Sequence, residues 1–191
     1  MFKPSELDAA VRSRLIEHFR PVVADHPDLH LSIRFRKGGR IGPNAFALPG
    51  GTVVFTDEIV TLAEHDDELL AVLAHEVGHV ANRHGMRRVV QDSLLAFALM
   101  AVTGDVSGTS ELFYGLPVML TELAYSREFE KEADRHALAY LRSHEIPTVH
   151  FARILRRMEK KEGGKGSKGG WWGYLSTHPM TEERLEEFEK E

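Results

Sequence analysis

The chain contains no cysteine among its 191 residues. That absence excludes a disulfide framework, a thiolate nucleophile and any zinc site built on sulfur. It leaves the redox compartment open, and it means that a transition metal would have to be held by imidazole and carboxylate. No apolar segment follows the first ten residues, which include Lys3, Pro4, Glu6 and Asp8, so no secretory leader is read there. Long hydrophobic runs are missing too. The longest, residues 94–102, falls far short of the roughly 20 residues that a spanning helix needs. The chain therefore reads as soluble, its compartment unassigned, with an anchored or cell-envelope full-length protein left open. Excess positive charge is also lacking: the formal net charge is -5, which argues against nucleic acid as a partner. What is abundant is histidine, at eleven residues, in a chain whose length suits a single domain over residues 1–191.

Periodicity predicts an α+β layout with a small N-terminal antiparallel or mixed sheet and helices after it. Residues 5–19 read as an amphipathic helix capped by Ser5. Residues 29–36 alternate apolar and polar as a strand does, and residues 44–48 and 52–55 form a hairpin about Pro49-Gly50-Gly51. Asp66 is expected to cap a helix running to about His84, with Gly85 as its stop. Further helices are expected over residues 92–102, 120–144, 147–162 and 181–191. Residues 163–170, GGKGSKGG, form a flexible loop.

The chemistry concentrates in His75-Glu76-Val77-Gly78-His79. Four helical steps overshoot a turn by only about 40°, so His75 and His79 share a face and can bind one zinc ion, while Glu76 can reach a water beside it as general base. A shuffled chain of this composition yields the pentapeptide with odds of roughly one in fifteen, so context must decide. Leu69, Leu70, Val72, Leu73 and Val77 make the segment strongly apolar, and buried ionisable groups need partners. The bland alternative is a surface helix with two histidines.

Catalytic zinc needs a third protein ligand. A histidine three residues after a glycine is excluded as that ligand, because Asn82 and Gly85 occupy those places. His84 lies about 140° round a continuous helix from His79 and reads as an exposed or capping residue. A later carboxylate remains. The run from Ser126 to Asp134 offers Glu128, Glu130 and Glu132, and spacing alone does not choose among them.

HEVGH followed by VANRHG, then SREFEKEAD, then STHPMTEER, with NAFALPGGTVVFTDE upstream, resembles the zinc metallopeptidase family of HtpX, the CAAX prenyl proteases and their soluble bacterial relatives. The likeness runs over residues 41–184. It implies a zincin-like fold, one zinc per chain, Glu130 as third ligand and Asp134 behind the ligands. It brings His178, of a His-Pro pair, close to the metal, as an oxyanion donor or as a residue occupying the open zinc position. It also implies that Asn44, Ala45, Phe46 and Ala47 bind an extended polypeptide substrate as an added strand. Arg184 is expected in an ion pair, with Asp134 as candidate partner; Tyr125 and Tyr174 are further candidate oxyanion donors.

Between Ser93 and Thr121 the only charges are Asp105 and Glu111. Two core-packed helices explain this, and so does a flap facing a membrane surface or a membrane protein. Trp171 and Trp172 suit a lid, an interfacial anchor or plain packing. The expected function is a zinc-dependent endopeptidase, with a role in cell-envelope protein quality control suggested by family analogy. Two alternatives stand beside it: a zinc hydrolase of non-peptide amides, against which the 44–48 strand argues, and a chaperone or assembly factor with structural zinc, which would not need Glu76.

Overall fold

The computed structural model describes residues 3–103, 125–162 and 173–190. The expectations for residues 104–124, for the 163–170 loop and for Trp171 and Trp172 lie outside them. Strand β1 (Lys3–Pro4) leads to α1 (Ala9–Ala24), which buries Leu15, Phe19 and Val22. Its cap is Asp8, which accepts the Ala10 N–H at 2.7 Å, not Ser5 as expected. Ser5 is engaged elsewhere: its hydroxyl donates to Asp57 Oδ1 at 2.7 Å.

Strands β2 (Ser32–Lys37), β3 (Ala45–Ala47) and β4 (Thr52–Thr56) complete a mixed sheet in the order β1-β2-β4-β3. β2 and β4 are parallel, with Phe35 opposite Phe55, and β3 returns antiparallel to β4 with Phe46 opposite Val54. The expected hairpin is present, and β3 takes the sheet edge. Gly51 turns it with φ +81°, and a Cβ there would meet the Leu29 carbonyl at 2.4 Å, so only glycine fits.

α2 (Asp57–Leu62) follows, capped by Thr56, and then α3 (Asp66–Ala81). His65 holds the cap position of α3, and Asp66, Asp67 and Glu68 occupy its positively polarised first turn. Residues 68–79 are buried throughout, with α1, the sheet edge and later helices packed around them. The expected stop at Gly85 is wrong. The Asn82 amide donates to the Gly78 carbonyl at 2.8 Å, Arg83 turns left-handed at φ +53°, and a new helix, α4 (His84–Thr103), starts at once. Asn82 satisfies a terminal carbonyl, so the break needs no glycine. Gly85 instead lies inside α4 against Pro49.

α5 (Arg127–Ser143) starts at the Ser126 cap, well after the expected residue 120. α6 (Val149–Glu162), a short α7 (Tyr174–Thr177) and α8 (Glu182–Glu189) finish the described chain. α5 crosses α3 closely at Gly78, where a Cβ would lie 2.8 Å from Ala133 Cα. That crossing brings the carboxylates of α5 to the histidines of α3. Among the described residues no helix is long and apolar enough to cross a membrane.

Candidate metal centre

The reason HEVGH is buried is visible in its surroundings. His75 and Glu76 are 0% exposed and His79 is 2% exposed. The Nε2 atoms of His75 and His79 face each other at 3.0 Å. From α5, Glu130 brings Oε2 to 3.6 Å from His75 Nε2 and Oε1 to 3.4 Å from His79 Nε2. Glu128, one of the three carboxylates that spacing left open, is exposed. His178, just past α7, places Nδ1 3.1 Å from Glu130 Oε1 and 3.4 Å from His75 Nε2. Ligand atoms of His75, His79, Glu130 and His178 lie within 4.8 Å of one another, and this is the group among the described residues that could hold a metal ion.

The donor set fits a divalent cation. His75 turns Nδ1 to Asp134 Oδ1 at 2.9 Å and His79 turns Nδ1 to His84 Nδ1 at 2.9 Å. With the protons on those outer nitrogens, two Nε2 lone pairs converge, an arrangement that repels itself until a cation lies between them. Burial, followed by the neighbouring imidazoles, holds His79 well below its ordinary pKa, so its ring is neutral and offers a lone pair. Burial pushes the Glu130 carboxyl up, but His178, His75 and Arg184 outweigh it and keep it anionic.

Behind the donors stands Asp134. Burial opposes its ionisation, yet hydrogen bonds from His75 and Arg184 hold its pKa down to about 2. The Arg184 guanidinium donates to both Asp134 oxygens at 2.6 and 2.8 Å, to the Pro179 carbonyl at 2.7 Å, and pairs with Glu130 Oε2 at 2.8 Å. The expected ion pair to Asp134 is thus present, and Arg184 reaches Glu130 as well.

Glu76 lies beside the donor cluster, next to His178. Burial pushes its carboxyl up to about 8, with Glu130 adding to this and His75, the Tyr174 hydroxyl and the Ala47 N–H opposing it. His178 Nε2 stands 3.4 Å from Glu76 Oε1. Tyr174 stacks on His178 at 4.2 Å, and Tyr125 stacks on His79 at 4.1 Å. Asn44 donates its backbone N–H to Thr56 Oγ1 at 2.8 Å, starting β3, whose three residues then run beside α3.

One residue was misread. His84 is neither exposed nor a cap: it is 0% exposed, with Nε2 2.8 Å from Glu132 Oε2 and its ring stacked on Phe129 at 4.4 Å. The 140° separation assumed a continuous helix. The break at Asn82 and Arg83 swings His84 back beneath His79. The signal in the sequence is Asn82, whose side-chain amide can satisfy a terminal helix carbonyl.

Comparison with known proteins identifies a family. The model of Peptidase family M48 matches residues 35–191. The mitochondrial metalloendopeptidase OMA1 of Saccharomyces cerevisiae is 32% identical over 153 residues, covering 78% of this chain and 43% of that protein. OMA1 of Schizosaccharomyces pombe is 30% identical over 148 residues, with the same two coverages, 78% and 43%. The beta-barrel assembly-enhancing protease of Escherichia coli K12 is 26% identical over 164 residues, covering 74% of this chain and 31% of that protein. The chain thus spans less than half the length of these relatives. The likeness is to the wider family and does not single out its HtpX or CAAX branch. With the paired histidines of α3 and the carboxylates of α5 in place, and a family match over most of its length, the chain belongs to peptidase family M48, a family of metal-dependent peptide-bond hydrolases.

Proposed function

We propose that the chain is a zinc-dependent endopeptidase, one catalytic domain of zincin type, in which His75, His79 and Glu130 hold the metal and Glu76 is the general base. The observation that carries this is the convergence of buried donor atoms from His75, His79 and Glu130 beside the buried carboxylate of Glu76, which meets the His178 imidazole at 3.4 Å. Bound there, zinc would supply a Lewis acid that polarises a carbonyl and lowers the pKa of water toward about 7. Glu76 accepts a proton from the attacking water and returns it to the leaving amine. Asp134 fixes the tautomer of His75, and Arg184 holds Asp134 and Glu130 in register.

The substrate is an extended polypeptide that adds a strand along β3, with residues 44–47 offering the edge and Ala47 beside Glu76. His178 occupies the fourth side of the donor cluster at rest and leaves it when substrate enters. Kinship with a protease named for beta-barrel assembly supports a role in turnover of cell-envelope proteins.

The test is a paired one. The parent should bind one zinc per chain, and Glu76→Gln should keep it while losing peptide hydrolysis by about 10²-fold or more. Glu130→Ala should release zinc far more readily than Glu128→Ala. His178→Ala should raise turnover of unstructured peptides; a fall in kcat at constant KM would make it a transition-state residue instead. A parent protein without metal in chelator-free buffer, or a Glu76→Gln variant with ordinary turnover, sinks the reading.

A further inference from the structure

We infer that His84 is a positioning residue for the metal centre, receiving the Nδ1 proton of His79 in a hydrogen bond while donating its own Nε2 proton to Glu132. This rests on the reading of His79 as a metal ligand.

With His84 neutral, as its full burial favours, the proton count admits one order. Glu132 Oε2 accepts from Arg87 Nη1 at 2.9 Å, so it is an anionic acceptor, and His84 Nε2 at 2.8 Å must carry a proton toward it. A neutral imidazole has one N–H, so His84 Nδ1 is an acceptor. His79 Nδ1, 2.9 Å away, is then the donor, which leaves His79 Nε2 as a lone pair facing His75 Nε2 and Glu130. Glu132 through His84 to His79 is thus a chain of two hydrogen bonds that selects the ligating tautomer, with no proton moved.

Packing fixes the orientation on which this depends. The His84 ring lies parallel to Phe129, 6° apart in plane, and the Arg87 guanidinium sits over the Phe129 ring, 4.4 Å from its centroid. The break between α3 and α4 supplies the position: an uninterrupted helix would carry His84 away from His79. A histidine kept only to fill the core would be replaceable by any flat ring, and Nδ1 would have no reason to face another ring nitrogen.

The experiment measures zinc affinity by competition with a chromophoric chelator, together with unfolding of the metal-free protein. His84→Phe keeps the flat ring and removes the acceptor, and zinc binding should weaken about 10–100-fold, the usual cost of losing a group behind a ligand. His84→Asn places an amide oxygen near the Nδ1 position, and its affinity should return to within about threefold of the parent. Equal affinity in His84→Phe and the parent overturns the inference, as does equal loss in His84→Phe and His84→Asn. Should His84→Phe fail to fold, Glu132→Ala decides: its side chain is 30% exposed, and an unchanged zinc affinity there overturns the chain. A parent that binds no zinc is a different outcome, one that removes the metal site itself.

Discussion

His75 and His79 are the same residue type, four positions apart on one helix, yet the protein backs them in opposite ways. Behind His75 stand Asp134 and Arg184, side chains 3% and 8% exposed, so the support is ionic and dry. Behind His79 stand neutral His84 and then Glu132 and Arg87, 30% and 46% exposed, so the charge sits one ring further out and in water. The cause is the crossing of α5 over α3 at Gly78. It presses Asp134 directly against His75, whereas His79 lies near the end of α3, where the chain break inserts His84. A charge at the inner position acts through a low dielectric and one at the outer position is screened, so the two supports differ in strength as well as depth.

The largest break in this comparison should come from Asp134→Ala. It removes the carboxylate beside His75 and leaves Arg184 buried with less compensation, which costs about 3 kcal/mol in urea unfolding of the metal-free protein. Zinc affinity should fall about 10–100-fold in the same variant. Glu132→Ala should cost under about 1 kcal/mol of stability, as exposed ion pairs do. Equal stability losses at the two positions would mean that depth of burial does not separate the flanks.

Much of the inner flank was legible in the sequence, and most of the outer flank was not. His75, Glu76 and His79 follow from helical spacing and an apolar context, and the Asp134–Arg184 pair was implied by the family likeness. The hairpin that sets β3 at the sheet edge followed from two short strand-like runs around Pro49-Gly50-Gly51. The choice of Glu130 came from family likeness, because Glu128, Glu130 and Glu132 are equivalent in spacing; the crossing at Gly78 is what distinguishes them in space. Helix boundaries failed where a side chain replaced the expected device: Asp8 for Ser5 at α1, Asn82 for Gly85 at α3, Ser126 far inside the expected helix at α5. The second failure hid His84. Local spacing carries through a helix, but a single left-handed residue such as Arg83 resets every angle beyond it.

A smaller effect should appear in acid, and on the outer side. His136, one turn past Glu132 on α5, has no hydrogen-bond partner for Nε2 among the described residues; burial, then His26 and His75, lower it to about 4. Its ordinary value is about 6.5, so the unfolded chain binds the proton more readily than the folded one. The stability it contributes is therefore present above pH 6.5 and is lost as pH falls toward 4, by about 1 kcal/mol once solvent screening of this half-buried ring is allowed for. His136→Phe should flatten the stability profile of the metal-free protein between those limits. An unchanged slope would show that His136 takes up its proton without opening the outer flank.

The smallest expected effect is the most specific to the comparison. Double-mutant cycles on Arg87 with Glu132 and on Arg184 with Asp134 isolate the two pair energies from the packing that each side chain also contributes. Arg87 Nη1 meets Glu132 at 2.9 Å but in water, so its coupling should be about 0.5 kcal/mol at low salt. The Debye length shrinks from about 10 Å at 0.1 M to about 3 Å at 1 M, so that coupling should vanish at high salt. Arg184 and Asp134 exclude counterions from between them, and theirs should survive the same change. If both couplings fall together, solvent reaches the inner pair and the ionic support of His75 is no drier than that of His79. If neither falls, Glu132 is shielded in solution by more than Arg87, and the outer flank is the more buried structure that its exposed carboxylate conceals.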